Sequence, residues 1–196
     1  MLIGVIAIQG NVAEHVYALE CAFAERGVHG EIVLIKHEGL VSGCDAIVLP
    51  GGESTTLARL MWEEGIAVEI KDAVGSGVPV LGTCAGLVLL AKRGDGEVAR
   101  VKQRLLGIMD VVVKRNAFGR QYDSFEMSID ILGVGDGFPA VFIRAPAIVQ
   151  WGDGVDVLAR IGDYVVAAQQ GSVLALAFHP EMVPDTRVHQ YFIDMI

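Results

Sequence analysis

Three short apolar segments, each broken by a glycine-bearing loop, restrict this chain to few architectures. Leu2-Ile3-Gly4-Val5-Ile6-Ala7-Ile8 is apolar at odd and even positions alike, as a strand covered on both faces has to be. It breaks at Gln9-Gly10-Asn11, where Asn11 can cap a helix over Val12 to Arg26 with Val12, Val16, Leu19, Ala22 and Phe23 along one stripe. Glu31 to Lys36 alternates as a strand. Asp45 to Leu49 is apolar again and ends in Pro50-Gly51-Gly52-Glu53-Ser54, with helices expected over Thr55 to Glu64, capped by Ser54, and over Ala67 to Val74. Val78 to Leu81 is the third apolar strand, and good helix formers run from Ala85 to Lys92. This alternation predicts an α/β fold, an open and mostly parallel central sheet flanked by helices. Ligands of such sheets sit at the carboxyl ends of the strands, where all three glycine loops fall.

The second half reads differently. Lys92 to Arg104 is charged and reads as an exposed connection. Gly107 to Lys114, Phe125 to Ile131, Ala140 to Ile143, Val155 to Arg160, Tyr164 to Gln169 and Val173 to Phe178 are short strands without long helices between them. They are expected as added antiparallel strands folded against the sheet, the last returning beside the Val78–Leu81 strand, with a closing helix over Thr186 to Met195. No repeat or linker divides residues 1–196, so one domain is expected. A formal charge of −9 without a basic cluster argues against a nucleic-acid partner. Three cysteines in odd number, without metal-ligand spacing, fit a reducing compartment, and no metal or cofactor is expected. No apolar stretch reaches membrane-spanning length and no leader pattern opens the chain, so a soluble, cytoplasmic protein is expected.

The chemistry concentrates at Gly82-Thr83-Cys84-Ala85-Gly86, the cysteine counterpart of a nucleophile elbow. A side chain on so tight a strand-to-helix turn needs small neighbours two residues either side, and glycine supplies them. An inert buried cysteine in a glycine-flanked junction satisfies the same pattern. A thiol nucleophile needs a base and the base an orienting group. His179 follows an apolar strand and precedes Pro180-Glu181. In an extended segment His179 and Glu181 project to one side, so Glu181 can hold the imidazole while its other nitrogen faces the sulfur. A strand-end His-Pro turn is the plain alternative. His15, His29, His37 and His189 read as ordinary surface or capping histidines. Backbone N–H groups of Gly52 and Ala85 are candidates for an oxyanion hole.

Taken together, these motifs resemble the class I, triad-type glutamine amidotransferases. More narrowly, nearly the whole chain resembles the family of glutaminase subunits of pyridoxal 5′-phosphate synthase. That narrower match rests on Ile3-Gly4-Val5 with Gln9-Gly10, the Pro50–Thr56 block, Arg115-Asn116-Ala117-Phe118-Gly119-Arg120-Gln121, Asp123-Ser124-Phe125-Glu126 and Phe142-Ile143-Arg144-Ala145-Pro146. The resemblance implies a flavodoxin-like architecture and hydrolysis of L-glutamine by a Cys84–His179–Glu181 triad through a glutamyl thioester. It implies glutamine contacts at Gly52, Glu53, Ser54, Arg115, Ile143 and Arg144, and a Gln9-Gly10 loop near the oxyanion site and the partner interface. The implied partner is a barrel-type synthase subunit that receives the ammonia in a hetero-oligomeric complex for vitamin B6 synthesis. A glutaminase serving another synthase, such as imidazole glycerol phosphate synthase, shares the elbow chemistry. A redox-sensing α/β protein would share the cysteine without a His–Glu pair behind it.

Overall fold

The structure, a computed structural model, describes residues 1–119 and 124–196. Strand β1 (Leu2–Ile6) leads through helix α1 (Val12–Arg26) to β2 (Glu31–Ile35), and β3 (Ala46–Leu49) follows. Helices α2 (Ser54–Glu63) and α3 (Ile66–Gly75) then deliver the chain to β4 (Val80–Thr83) and α4 (Ala85–Leu90). The four strands lie in the order β2-β1-β3-β4, all parallel. Every residue of β3 and β4 is buried, which is why both read as unbroken apolar runs. β2 lies at the sheet edge and leaves Glu31 and Leu34 exposed.

The chain continues through β5 (Ala91–Gly94), α5 (Gly96–Arg100), β6 (Met109–Lys114), β7 (Ser124–Ile131), β8 (Gly135–Ile143), β9 (Ala147–Trp151), β10 (Asp156–Ile161), β11 (Tyr164–Gln170), β12 (Val173–Leu176) and α6 (Arg187–Ile193). β12 inserts parallel to β4, with Val173 opposite Val80 and Leu176 opposite Thr83. Beyond it the same sheet runs on through β11, β9, β6 and β5, with β10 paired to β11. The later strands therefore continue the parallel sheet by hydrogen bonding instead of folding against it, β5 pairing parallel with β6, apart from β7 and β8, which form a separate two-stranded ribbon.

Three expectations change. Lys92 to Arg104 is not a bare connection: β5 pairs with β6, and α5 buries Val98 behind a cap in which Asp95 Oδ1 accepts the Glu97 and Val98 N–H groups at 3.1 and 3.2 Å. α4 stops at Leu90 because the chain turns at once into β5. All six of its residues are buried, so no polar face marks where helix gives way to strand. β9, absent from the expected strands, pairs antiparallel with β6. Among the described residues no helix is long and apolar enough to cross a membrane.

Candidate active site

The β4–α4 junction holds Cys84 at φ 48° and ψ −98°, a backbone region that costs a non-glycine residue about 1–3 kcal/mol. Its neighbours admit nothing larger than glycine. A Cβ on Gly86 would lie 2.3 Å from the Leu49 carbonyl oxygen, and one on Gly82 would lie 2.4 Å from Leu90 Cδ1. The strained turn aims the sulfur into a cavity of about 440 Å³, and Sγ donates weakly to the Ile143 carbonyl at 3.9 Å.

The register of β12 on β4 brings the base to the thiol. With Leu176 opposite Thr83, the residues just past both strand ends meet, and the Cys84 N–H donates to the Leu176 carbonyl at 2.8 Å. His179 Nδ1 lies 2.7 Å from Glu181 Oε1 and donates to it, leaving Nε2 for the Cys84 thiol. Burial disfavours charge on this imidazole. Its interactions with Cys84 and with the Glu181 carboxylate outweigh it and raise His179 from 6.5 to about 10. Burial likewise opposes ionisation of Glu181, yet His15 and the His179 hydrogen bond hold it down, to about 2.

The pair does not form by projection from an extended strand. Glu181 sits in a 3₁₀ turn, Pro180–Met182, with His179 at its N-terminal boundary, and the turn folds the carboxylate back onto the ring. Asn11 also behaves differently from a plain cap. It stands at the N-terminal boundary of α1, but its side chain makes no capping bond and instead donates to Glu181 Oε1 at 3.1 Å. His15 and His189, read as surface or capping histidines, are fully buried. The sequence does carry a signal for both. His15 precedes the buried Leu19 by four residues and Ala22 by seven, and His189 precedes Phe192 and Ile193 by three and four, so each lies on its helix's covered face.

The residues expected to hold substrate, Gly52, Glu53, Ser54, Arg115, Ile143 and Arg144, all line the cavity, together with Cys84, Ala85, His179 and Gln9. Glu181, which is buried, and Gly10, which is exposed, do not line the cavity. Arg115 Nη2 lies 3.7 Å from Glu53 Oε1, and its backbone N–H is fixed by Asp95 Oδ2 at 3.1 Å. Glu53, not Ser54, caps α2. Its carboxylate accepts the Thr55 and Thr56 N–H groups at 3.1 and 2.7 Å, and although partial burial opposes its charge, the Thr55 hydroxyl together with these bonds lowers it to about 2. Ser54 opens the helix and donates its hydroxyl to Gln103 Oε1 at 3.2 Å, tying the segment after α5 to the cavity rim. Gln9 Oε1 accepts the Glu53 N–H at 3.0 Å. Of the motif residues, Arg120, Gln121 and Asp123 lie outside the described residues. Among those described, no group of three or more His, Cys, Asp or Glu side chains is placed to hold a metal ion.

Residues 5–196 match the model of the SNO glutamine amidotransferase family. The chain is 61% identical over 196 residues to a protein of Methanosarcina acetivorans named pyridoxal 5′-phosphate synthase subunit PdxT, covering all of this chain and 98% of that one. A Geobacillus kaustophilus protein of the same name is 50% identical, with 100% and 95% of the two chains covered. A crystal structure described as a glutamine amidotransferase superposes with a TM-score of 0.87 at 42% identity, over 98% of this chain and 97% of that one.

Proposed function

The chain belongs to the SNO glutamine amidotransferase family, and on that footing we propose that it hydrolyses L-glutamine to L-glutamate and ammonia as the glutaminase subunit of a pyridoxal 5′-phosphate synthase. The observation that carries this reading is the strained Cys84 elbow beside a buried imidazole that is itself held by Glu181, all opening on one cavity. The family description supports glutamine as substrate, and the names borne by relatives at 50–61% identity support pyridoxal 5′-phosphate synthesis, hence vitamin B6, as destination.

In the proposed mechanism the Cys84 thiolate attacks the side-chain carboxamide carbon of glutamine, its proton residing on His179. The oxygen takes up negative charge between the Gly52 and Ala85 N–H groups, both at the cavity wall. His179 then gives its proton to the departing nitrogen and ammonia leaves, with a glutamyl thioester on Cys84. Water adds to the thioester as His179 takes its proton, and collapse of this second adduct expels the thiolate and frees glutamate. Arg115 and Arg144 offer guanidinium groups to the substrate α-carboxylate, for which their forked donors are suited. Residues 1–196 act as one glutaminase domain in this reading, and the ammonia passes to a barrel-type synthase subunit in a hetero-oligomeric complex.

The test is ammonia release from glutamine in the presence of the synthase subunit. Wild type should release it and Cys84→Ala should not. Release by Cys84→Ala at the wild-type rate would overturn the mechanism.

A further inference from the structure

Behind the triad lies a buried polar chain that the proposed mechanism leaves unused. Glu181 Oε1 is satisfied by His179 and Asn11, whereas Glu181 Oε2 is buried without a hydrogen bond of good geometry. His15 Nε2 lies 3.4 Å from Oε2, and that same nitrogen lies 3.1 Å from Thr83 Oγ1. On the far side of the ring, His15 Nδ1 lies 3.4 Å from His189 Nε2, and the two rings meet edge to face. His189 Nδ1 is buried without a partner.

Only one arrangement of protons suits these contacts. With His15 protonated on Nδ1, its Nε2 lone pair would face a carboxylate oxygen, and His189 would have to bury an unpartnered N–H. Both are costly. With His15 protonated on Nε2, that N–H lies between Glu181 Oε2 and Thr83 Oγ1, Nδ1 accepts from His189 Nε2–H, and the orphan on His189 is only a lone pair. Burial lowers both histidines below 6.5, His189 to about 3, and outweighs the opposite pull of the Glu181 carboxylate on each, so both are neutral at neutral pH. The groups facing His15 are Glu181, His179 and His189, with Glu14 beside it on its own helix.

We propose that His15 is a positioning residue for the triad: its Nε2–H holds the second oxygen of Glu181 and the hydroxyl of the residue preceding the nucleophile, while His189 fixes its tautomer. His15 does not line the cavity, so it acts through Glu181 and Thr83 and not on substrate. Asn11, at the N-terminal boundary of α1, donates to Oε1 and His15, four residues later, stands 3.4 Å from Oε2, so in this proposal the start of the first helix orients the carboxylate that orients the base.

This inference rests on the glutaminase reading, and its test separates the two. With the synthase subunit present, His15→Leu should lower kcat on the order of tenfold, as loss of a group orienting an active-site ligand commonly does, with KM for glutamine unchanged. Its acid limb should move to higher pH, because a carboxylate without its donor takes up a proton more readily. His15→Gln, which keeps an N–H within reach, should stay within about threefold of wild type and keep the wild-type pH profile. Wild-type rates in both variants, or equal losses in both with an unmoved profile, would overturn the proposal. If His15→Leu does not fold, the ring ¹⁵N spectrum of the wild-type protein decides. A neutral His15 with its proton on Nε2 supports the proposal and one with it on Nδ1 refutes it. That spectrum needs no turnover, so a wild type that releases no ammonia would sink the glutaminase reading and leave this inference to be judged by the tautomer.

Discussion

A methyl group at position 51 would reach His179, the proposed base. The Cβ of alanine there would stand 2.4 Å from His179 Cε1 and 2.9 Å from Nδ1, and 3.5 Å from the Cβ of Cys84. The ring has little room to retreat, because it is buried and tied to Glu181. Gly51→Ala should therefore displace the imidazole by a fraction of an ångström to an ångström and lower ammonia release on the order of a hundredfold. Its circular dichroism should remain that of wild type. Retention of the wild-type kcat would contradict this packing. The charges of the pair also set a pH window for stability. Glu181 is depressed from 4.5, so the stability it contributes is present above 4.5 and is lost as pH falls through about 2. His179 is raised from 6.5, so its contribution is whole below 6.5 and is lost as pH rises through about 10. The two overlap fully between 4.5 and 6.5. The difference in urea midpoint between wild type and Glu181→Gln should be largest in that interval and shrink toward pH 2 and toward pH 10. A difference that is flat with pH would show that the pair contributes no such linkage.

At the scale of an element, α2 begins at the cavity and is held there by Glu53. The Glu53 carboxylate takes two of the helix's first N–H groups and lies beside Arg115, so one side chain both ends the Pro50–Ser54 loop and neighbours an arginine of the cavity lining. Glu53→Ala should cost about 1 kcal/mol of stability from the lost cap, measured by urea unfolding, and should raise KM for glutamine as Arg115 loses its neighbour. An unchanged unfolding midpoint would mean the cap is replaced by water. The expected Ser54 cap fails for a structural reason. Serine is the favoured cap in sequence, but which residue stands at the boundary depends on where the loop closes against Gln9, whose Oε1 takes the Glu53 N–H. The α4–β5 boundary was hidden in another way, since burial on every side erases the period that separates helix from strand.

For the molecule as a whole, the site lies where β3, β4 and β12 end together, and two further layers converge on it from distant parts of the chain. The Gln9 side chain leans on the Pro50–Ser54 loop, so closely that a Cβ on Gly52 would lie 2.6 Å from Gln9 Oε1. A partner docking over that loop would adjust the Gly52 N–H, the proposed oxyanion donor. Adding the synthase subunit should therefore raise the steady-state glutaminase rate of this chain. Equal rates with and without it would remove the coupling.

The sequence by itself determined the parts whose cause is local. Runs of apolar residues at both parities announced buried strands, paired glycines around Cys84 announced a tight elbow, and His179-Pro180-Glu181 announced a base with a carboxylate two residues away. Tertiary structure decided which of these meet. The insertion of β12 beside β4, ninety residues later in the chain, sets Leu176 opposite Thr83 and thereby sets base against thiol. It also decided that Asn11 serves Glu181 rather than its own helix, and that His15 and His189 lie buried behind the triad rather than on the surface. The physical reason is that a cap or a histidine on a helix is ambiguous until something covers it. What covers α1 is supplied by α6 and the turn after β12, from the opposite end of the chain.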